Sequence, residues 1–214
     1  MMTWTSNPYL DKIVYFDSQI DAPWAANEFG PEEWKKLERL RAELGLLQGK
    51  ILLEPGCGTG RLTQVLSNWI GPSGRVTALD ISPKMTDRAS LRLAGRTNVT
   101  LLKTALEDLK LEPASFDIVL HHQVFPHYHD KARALDITAR AVKPGGLVIV
   151  FHFIDMARIN DTHRKAGTPV ERDLMPPQDE MRRLFAAAGL TVKFVTDDEL
   201  GFFLSAYRPE RECS

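Results

Sequence analysis

The feature that most restricts this chain is the run E-P-G-C-G-T-G, Glu54 to Gly60. It joins two segments of different period. KILLEP (50–55) is a short apolar run that reads as a buried strand, and RLTQVLSNWIG (61–71) reads as a helix. Alternating glycines at such a joint permit positive φ and let a ligand lie against bare backbone. The N-terminus of the following helix then faces that ligand. The spacing excludes two common loops. A dinucleotide loop reads G-x-G-x-x-G, whereas this one reads G-x-G-x-G with a carboxylate, Glu54, two residues before the first glycine. A Walker loop needs G-K-[ST], and none follows Gly60.

The carboxylate points to the ligand. It would repel a pyrophosphate and attract the amino group of a zwitterionic amino acid. That chemistry favours S-adenosylmethionine (SAM) over a dinucleotide. Asp80 closes the next strand, RVTALD (75–80), where an acid can accept both ribose hydroxyls.

Further strands are expected at VTLLKTA (99–105), FDIVLHH (116–122) and LVIVFHF (147–153). Helices are expected at 31–45, 82–95, 130–142 and about 178–188, with KPGG as the turn that stops the third of these. TVKFVTDD and LGFFLSAYRP read as a terminal antiparallel pair. Strands alternating with helices imply an α/β fold with a parallel sheet. Residues 1–30 read as irregular but rich in aromatics (Trp4, Tyr9, Tyr15, Phe16, Trp24, Phe29). Residues 154–177 have no clear period and carry three prolines, which reads as a long functional or mobile loop at the ligand-binding end of the fifth strand.

The motifs ILLEPGCGTG, ALDIS with Pro83 and Met85 behind it, FDIVL, and AVKPGG before a strand resemble the class I SAM-dependent methyltransferases. They are most similar to the small-molecule branch that includes ubiquinone/menaquinone-type enzymes. The resemblance implies a doubly wound, Rossmann-like sheet of seven strands, mostly parallel, with an antiparallel C-terminal hairpin strand. It implies that Glu54 serves the methionine amino group and that Gly56, Gly58 and Gly60 line methionine and ribose. Asp80 would bind the ribose hydroxyls, Ile81 would pack on adenine, and Met85 would lie near it. The acid that often meets adenine after the third strand is replaced by Ala105, so that contact passes to Ala105 and Leu106 backbone or to Glu107. Tyr9, Tyr15, Phe16 and Trp24 are candidates for a lid over the cofactor. Cys57 reads as a small loop residue, and a disulfide with Cys213 is not expected.

All six histidines lie between 121 and 163, four of them in HHQVFPHYHD (121–130). Three readings stay open. His122 and His127 lead as acid–base groups near the methyl, with His152, Arg158 and His163 contacting the acceptor. Alternatively His122, His127, His152 and His163 bind a divalent metal. In the third reading they are structural. His129 is expected to be exposed. The polar run RINDTHR, with Asn160 and Arg164, offers an anion clamp or a solvated loop.

The expected organisation is one domain over 1–214: an N-terminal helical cap (1–45), a SAM-binding core (46–153), an active-site insertion (154–177), and a C-terminal helix and hairpin (178–214). The net charge of −1 argues against nucleic acid as a partner. No apolar run suggests a membrane span or a signal peptide, so a cytoplasmic small-molecule enzyme is expected. Two alternatives are a histidine-rich metal-binding protein on the same fold and a SAM-binding module without activity.

Overall fold

A computed structural model describes residues 7–210. Trp4 and Cys213 lie outside the described residues. The sheet has seven strands: β1 (Ile51–Pro55), β2 (Arg75–Asp80), β3 (Val99–Lys103), β4 (Phe116–His122), β5 (Val142–Phe151), β6 (Thr191–Asp198) and β7 (Gly201–Tyr207). Their order is β3-β2-β1-β4-β5-β7-β6, and only β7 runs against its neighbours. The expected doubly wound sheet with one antiparallel C-terminal strand is therefore present.

The side-chain alternation of the central strands decides the layering. Leu53, Val119, Val148, Val150, Phe202 and Leu204 point to one face. Leu52, Ile118, Leu120, Ile149, Phe151 and Phe203 point to the other. A strand buried on both faces needs helices on both. The first face is covered by α6 (Lys131–Ala141) and α8 (Gln178–Ala187), through residues such as Leu135, Met181 and Phe185. The second is covered by α3 (Pro31–Leu44) and α4 (Arg61–Ile70), through Leu37, Leu40, Leu62 and Leu66. Helix α5 (Pro83–Arg92) begins at an N-cap, with Ser82 Oγ accepting from Met85 N at 3.1 Å.

Three local expectations change. The aromatic N-terminal stretch is helical, forming α1 (Leu10–Ser18) and α2 (Pro23–Ala26). The segment 154–177 is not irregular throughout: α7 occupies Met156–Ala166. Asp155 caps it by accepting from Arg158 N at 2.9 Å, and Gly167 ends it at φ 73°. Only Ile159 of this helix is buried, so it lacks the apolar stripe that reveals a helix in sequence. KPGG does not precede β5 but bulges within it. Partners pass from Phe116↔Val142 to Ile118↔Leu147, so two steps on β4 match five on β5. Asp117 fixes the bulge, accepting from Ile51 N at 2.8 Å and pairing with Lys143 Nζ at 2.8 Å.

Among the described residues no helix is long and apolar enough to cross a membrane. The β6–β7 hairpin turns at Gly201, with φ +101°, against the chain leaving β5. A Cβ there would stand 2.1 Å from the His152 carbonyl oxygen, a backbone atom that cannot step aside. Gly201→Ala should therefore cost about 2–3 kcal/mol of stability, measured by denaturant unfolding. A wild-type midpoint would contradict this packing.

Candidate active site

The chain leaves β1 toward β2 and β3, then returns to β4 on the other side. The crevice at that reversal, beyond the carboxyl ends of the strands, is where open α/β sheets take ligands. It holds a cavity of about 390 Å³. The two loops that bound it touch: a Cβ on Gly56, which has φ +71°, would stand 2.4 Å from Val124 Cγ2. Glycine is required there on both counts.

Over β1 to β3 the cavity is walled by Gly56, Gly58, Asp80, Ile81, Met85, Ala105, Leu106 and Glu107. The structure thus brings together most of the residues expected around a cofactor. Asp80 is held by its own loop, accepting from Gly58 N through Oδ2 and from Ser82 N through Oδ1, each at 2.9 Å. Burial pushes its carboxyl above the ordinary range, against those two donors. Gly60 does not line the cavity. It starts α4 in the left-handed region, with Ala89 Cβ within 3.1 Å of where its own Cβ would be.

Glu54 also stands behind the wall. It is 1% exposed, and its Oε2 has no hydrogen-bond partner. Burial pushes its carboxyl up to about 8, and the Asp80 charge adds to the shift. Cys57 is a free, buried thiol, pushed well up by burial and then by Asp80 and Glu54. A thiol so disposed is no nucleophile, in keeping with its reading as a small loop residue.

Over β4 and β5 the cavity is walled by His122, His127, His152 and His163, with Ile154, Ile159 and Val170 between them. His122 packs on Phe151 and Phe153, with ring centroids 5.5 and 4.8 Å away. His122 and His152 are buried, and neither Nε2 has a partner. Burial, and secondarily Arg61, hold His122 down at about 3. Burial holds His152 well below the ordinary value. Both rings are therefore neutral at pH 7. His127 Nδ1 lies 2.8 Å from Asp173 Oδ2, and His163 Nδ1 lies against the Asp173 carbonyl.

His121 points the other way. It bonds Tyr128 Oη at 2.7 Å and Thr138 Oγ1 at 3.2 Å and is structural. His129 is exposed.

Other site expectations are corrected. Arg158 does not reach the cavity: its side chain is 69% exposed and lies 3.9 Å from Asp155. Arg164 is exposed as well, so the run RINDTHR makes no anion clamp. Asn160 instead ties α7 down, accepting from Met175 N at 2.7 Å. The metal reading also fails on geometry. Among the described residues no three His, Cys, Asp or Glu side chains are arranged to hold a metal ion.

Tyr9, Tyr15, Phe16 and Trp24 all line the cavity. Helix α1 crosses the mouth and is tied at three places. Tyr9 Oη donates to Glu107, Lys12 pairs with Asp173 at 2.7 Å, and Asp17 accepts from Ser82 Oγ at 2.5 Å. Sequence reasoning missed Arg61, which lines the cavity, bonds the Trp24 carbonyl and pairs with Glu33 at 3.1 Å. A signal was available: a cation opening a helix opposes the dipole and needs a reason. Lys12 and Asp173 were missed too, and their separation in sequence gave no local cue.

Glu54 carries a testable cost. Its folded value lies above the ordinary one, so the neutral acid favours folding below pH about 4.5, and that stability is lost as pH rises toward about 8. Glu54→Gln should raise the melting temperature at pH 8 by at least about 2 °C, the shift expected for 1 kcal/mol. The gain should shrink toward pH 5. A variant that melts lower than wild type at pH 8 would contradict the assignment.

Comparison with known proteins agrees with this geometry. Residues 53–150 match the family model described as a methyltransferase domain. A demethylmenaquinone methyltransferase of Staphylococcus aureus is 34% identical over 116 residues, covering 54% of this chain and 47% of that protein. The chain thus spans about half the length of the curated relatives it matches. A SAM-dependent methyltransferase structure from Aquifex aeolicus superposes with a TM-score of 0.63 at 22% identity, covering 84% of this chain and 98% of that one. A chain from the complex of the Haloferax volcanii Trm112 methyltransferase activator with a methyltransferase reaches 0.75 at 21% identity, covering 93% and 100%. These two likenesses speak for the fold. Sheet order and glycine loop are thus those of a methyltransferase-type fold, and residues 53–150 are similar to a methyltransferase domain.

Proposed function

We propose that this chain transfers the methyl group of SAM to a small-molecule acceptor. The observation that carries this is the continuity of one cavity. It joins the cofactor-type wall over β1 to β3 with a chamber of neutral imidazoles over β4 and β5.

The residues fit the cofactor. The unpartnered Oε2 of Glu54 is a buried acceptor awaiting a donor, such as the methionine ammonium. Gly56 and Gly58 offer bare backbone beside it. The two oxygens of Asp80, now spent on the loop's own N–H groups, suit a pair of ribose hydroxyls. Ile81, Met85 and Leu106 give an apolar slot that suits adenine, and Arg61 is a cation on the same cavity lining. Bound SAM supplies a methyl group activated on a sulfonium. The protein's part is to hold donor and acceptor in line and to exclude water, which can account for most of the acceleration of such a displacement. Helices α1 and α2 and the aromatic residues they carry provide that roof.

A small acceptor is supported by the cavity volume. The Staphylococcus relative is named for methyl transfer to demethylmenaquinone, which also supports a small-molecule acceptor.

The test is binding of S-adenosylhomocysteine (SAH) by calorimetry. Wild type should bind it. Asp80→Ala should weaken it about 10- to 150-fold, as expected when a charge-assisted hydrogen bond is lost. Thermal unfolding of the variant would show that the fold is kept. Unchanged affinity in Asp80→Ala would remove the ribose contact, and no binding by wild type would remove the methyltransferase reading.

A further inference from the structure

Four imidazoles line the acceptor end, and the structure treats one of them differently. His127 alone has a carboxylate behind it, Asp173 Oδ2 at 2.8 Å from its Nδ1. Asp173 is fixed from several sides. Its Oδ1 takes Lys12 Nζ at 2.7 Å, and its own carbonyl meets His163 Nδ1. Lys12 also donates to the His127 carbonyl at 2.8 Å. The ring itself is wedged between Phe16, edge-on at 5.1 Å between centroids, and His163 at 4.7 Å.

This arrangement fixes the tautomer. An ionised carboxylate only accepts, so Nδ1 carries the proton and Nε2 carries the lone pair. Among the described residues Nε2 of His127 has no hydrogen-bond partner, and the ring borders the cavity. Burial opposes ionisation of Asp173, but His127 and Lys12 overcome it and hold its carboxyl below the usual range. For His127, burial lowers the value and Asp173 pulls it back up, with His163 and Lys12 opposing. The charged groups that bear on the pair are thus Lys12, His163 and, through Asp173, Lys131. His127 is neutral at pH 7 with a basic nitrogen at the cavity.

The acceptor's charge can be read from the same wall. Lys12 is taken by Asp173, and Arg61 is taken by Glu33 and the Trp24 carbonyl. No uncommitted cation among the described residues waits there for an anionic acceptor. His122 and His152 contribute two neutral rings, Ile154, Ile159 and Val170 contribute apolar surface, and Gln123 and Thr162 are uncharged.

We propose that His127, oriented by Asp173, is the base that takes the proton from an uncharged hydroxyl-bearing acceptor seated beside His122 and His152. This rests on the methyltransferase reading above. The step balances. The hydroxyl proton moves to His127 Nε2, and the electron pair left on oxygen forms the bond to the methyl carbon. The C–S bond breaks with its pair left on sulfur, giving SAH. The imidazolium is neutralised by Asp173 and later returns the proton to water. Asp173 is a positioning residue in this step, and Lys12 brings α1 to it.

Two readouts test this on the full chain. In the SAH complex, nitrogen NMR of the imidazoles should show His127 protonated at Nδ1 and bare at Nε2. Methyl transfer to catechol, hydroquinone and 1,4-dihydroxynaphthalene should fall about 100-fold in His127→Ala, the typical worth of a positioned base. It should fall at least about tenfold in kcat in Asp173→Asn, with acceptor KM and SAH affinity retained. Removing the negative neighbour disfavours imidazolium, so the acidic limb of the kcat profile should move to lower pH in Asp173→Asn. A purely structural Asp173 would not move that limb. An Nε2–H tautomer, or wild-type kcat and acidic limb in Asp173→Asn, would overturn the assignment. Transfer to none of the three hydroxyarenes by a wild-type chain that binds SAH would overturn the hydroxyl acceptor and with it the base. Failure to bind SAH at all would sink the underlying reading instead.

Discussion

The reversal of winding between β1 and β4 is the constraint on which the site depends. Parallel strands buried on both faces place all their carboxyl ends on one edge of the sheet. Helices leaving in opposite directions from β1 and β4 cannot close over that edge, so a gap is forced. The gap is kept narrow by the contact of Gly56 with Val124, where no side chain fits on the glycine. One wall of the cavity then comes from β1 to β3 on one side of the reversal, and the other from β4 and β5 on the opposite side. On the proposed function the first would hold the donor and the second the acceptor.

What was legible in the sequence follows from this. The glycine loop and Asp80 were readable because their demands are local. A positive φ, a close backbone approach and an acid at a strand end are all stated within a few residues of one another. The strands were readable because burial on both faces writes a continuous apolar run. Helix α7 was hidden because one buried residue, Ile159, anchors it, and its inward face carries Asn160 and His163 rather than leucines. Arg158 was misplaced for the same reason: polarity marks a segment but not the direction its side chains take. Asp173 could not be read at all, since its partners lie 46 residues away at His127 and farther still at Lys12. The histidine run itself was visible, but only the fold separates His121, turned into the core, from His122, turned to the cavity.

Glu54 shows stability set against function. A carboxyl with an unpartnered oxygen, 1% exposed, is a defect in a structural core. The surrounding apolar layer tolerates it, and a ligand's ammonium would resolve it. Buried groups of this kind mark places where a site is built for something other than its own folding.

Helix α1 has a consequence that reaches across the cavity. Through Tyr9 it is fastened to Glu107 on the wall over β1 to β3, and through Lys12 to Asp173 and His127 on the wall over β4 and β5. One element therefore touches both ends of the cavity. On the proposed function, a ligand that steadies one end of the helix would lower the cost of steadying the other, equally in both directions. A nine-residue helix would then couple two ligands that never touch.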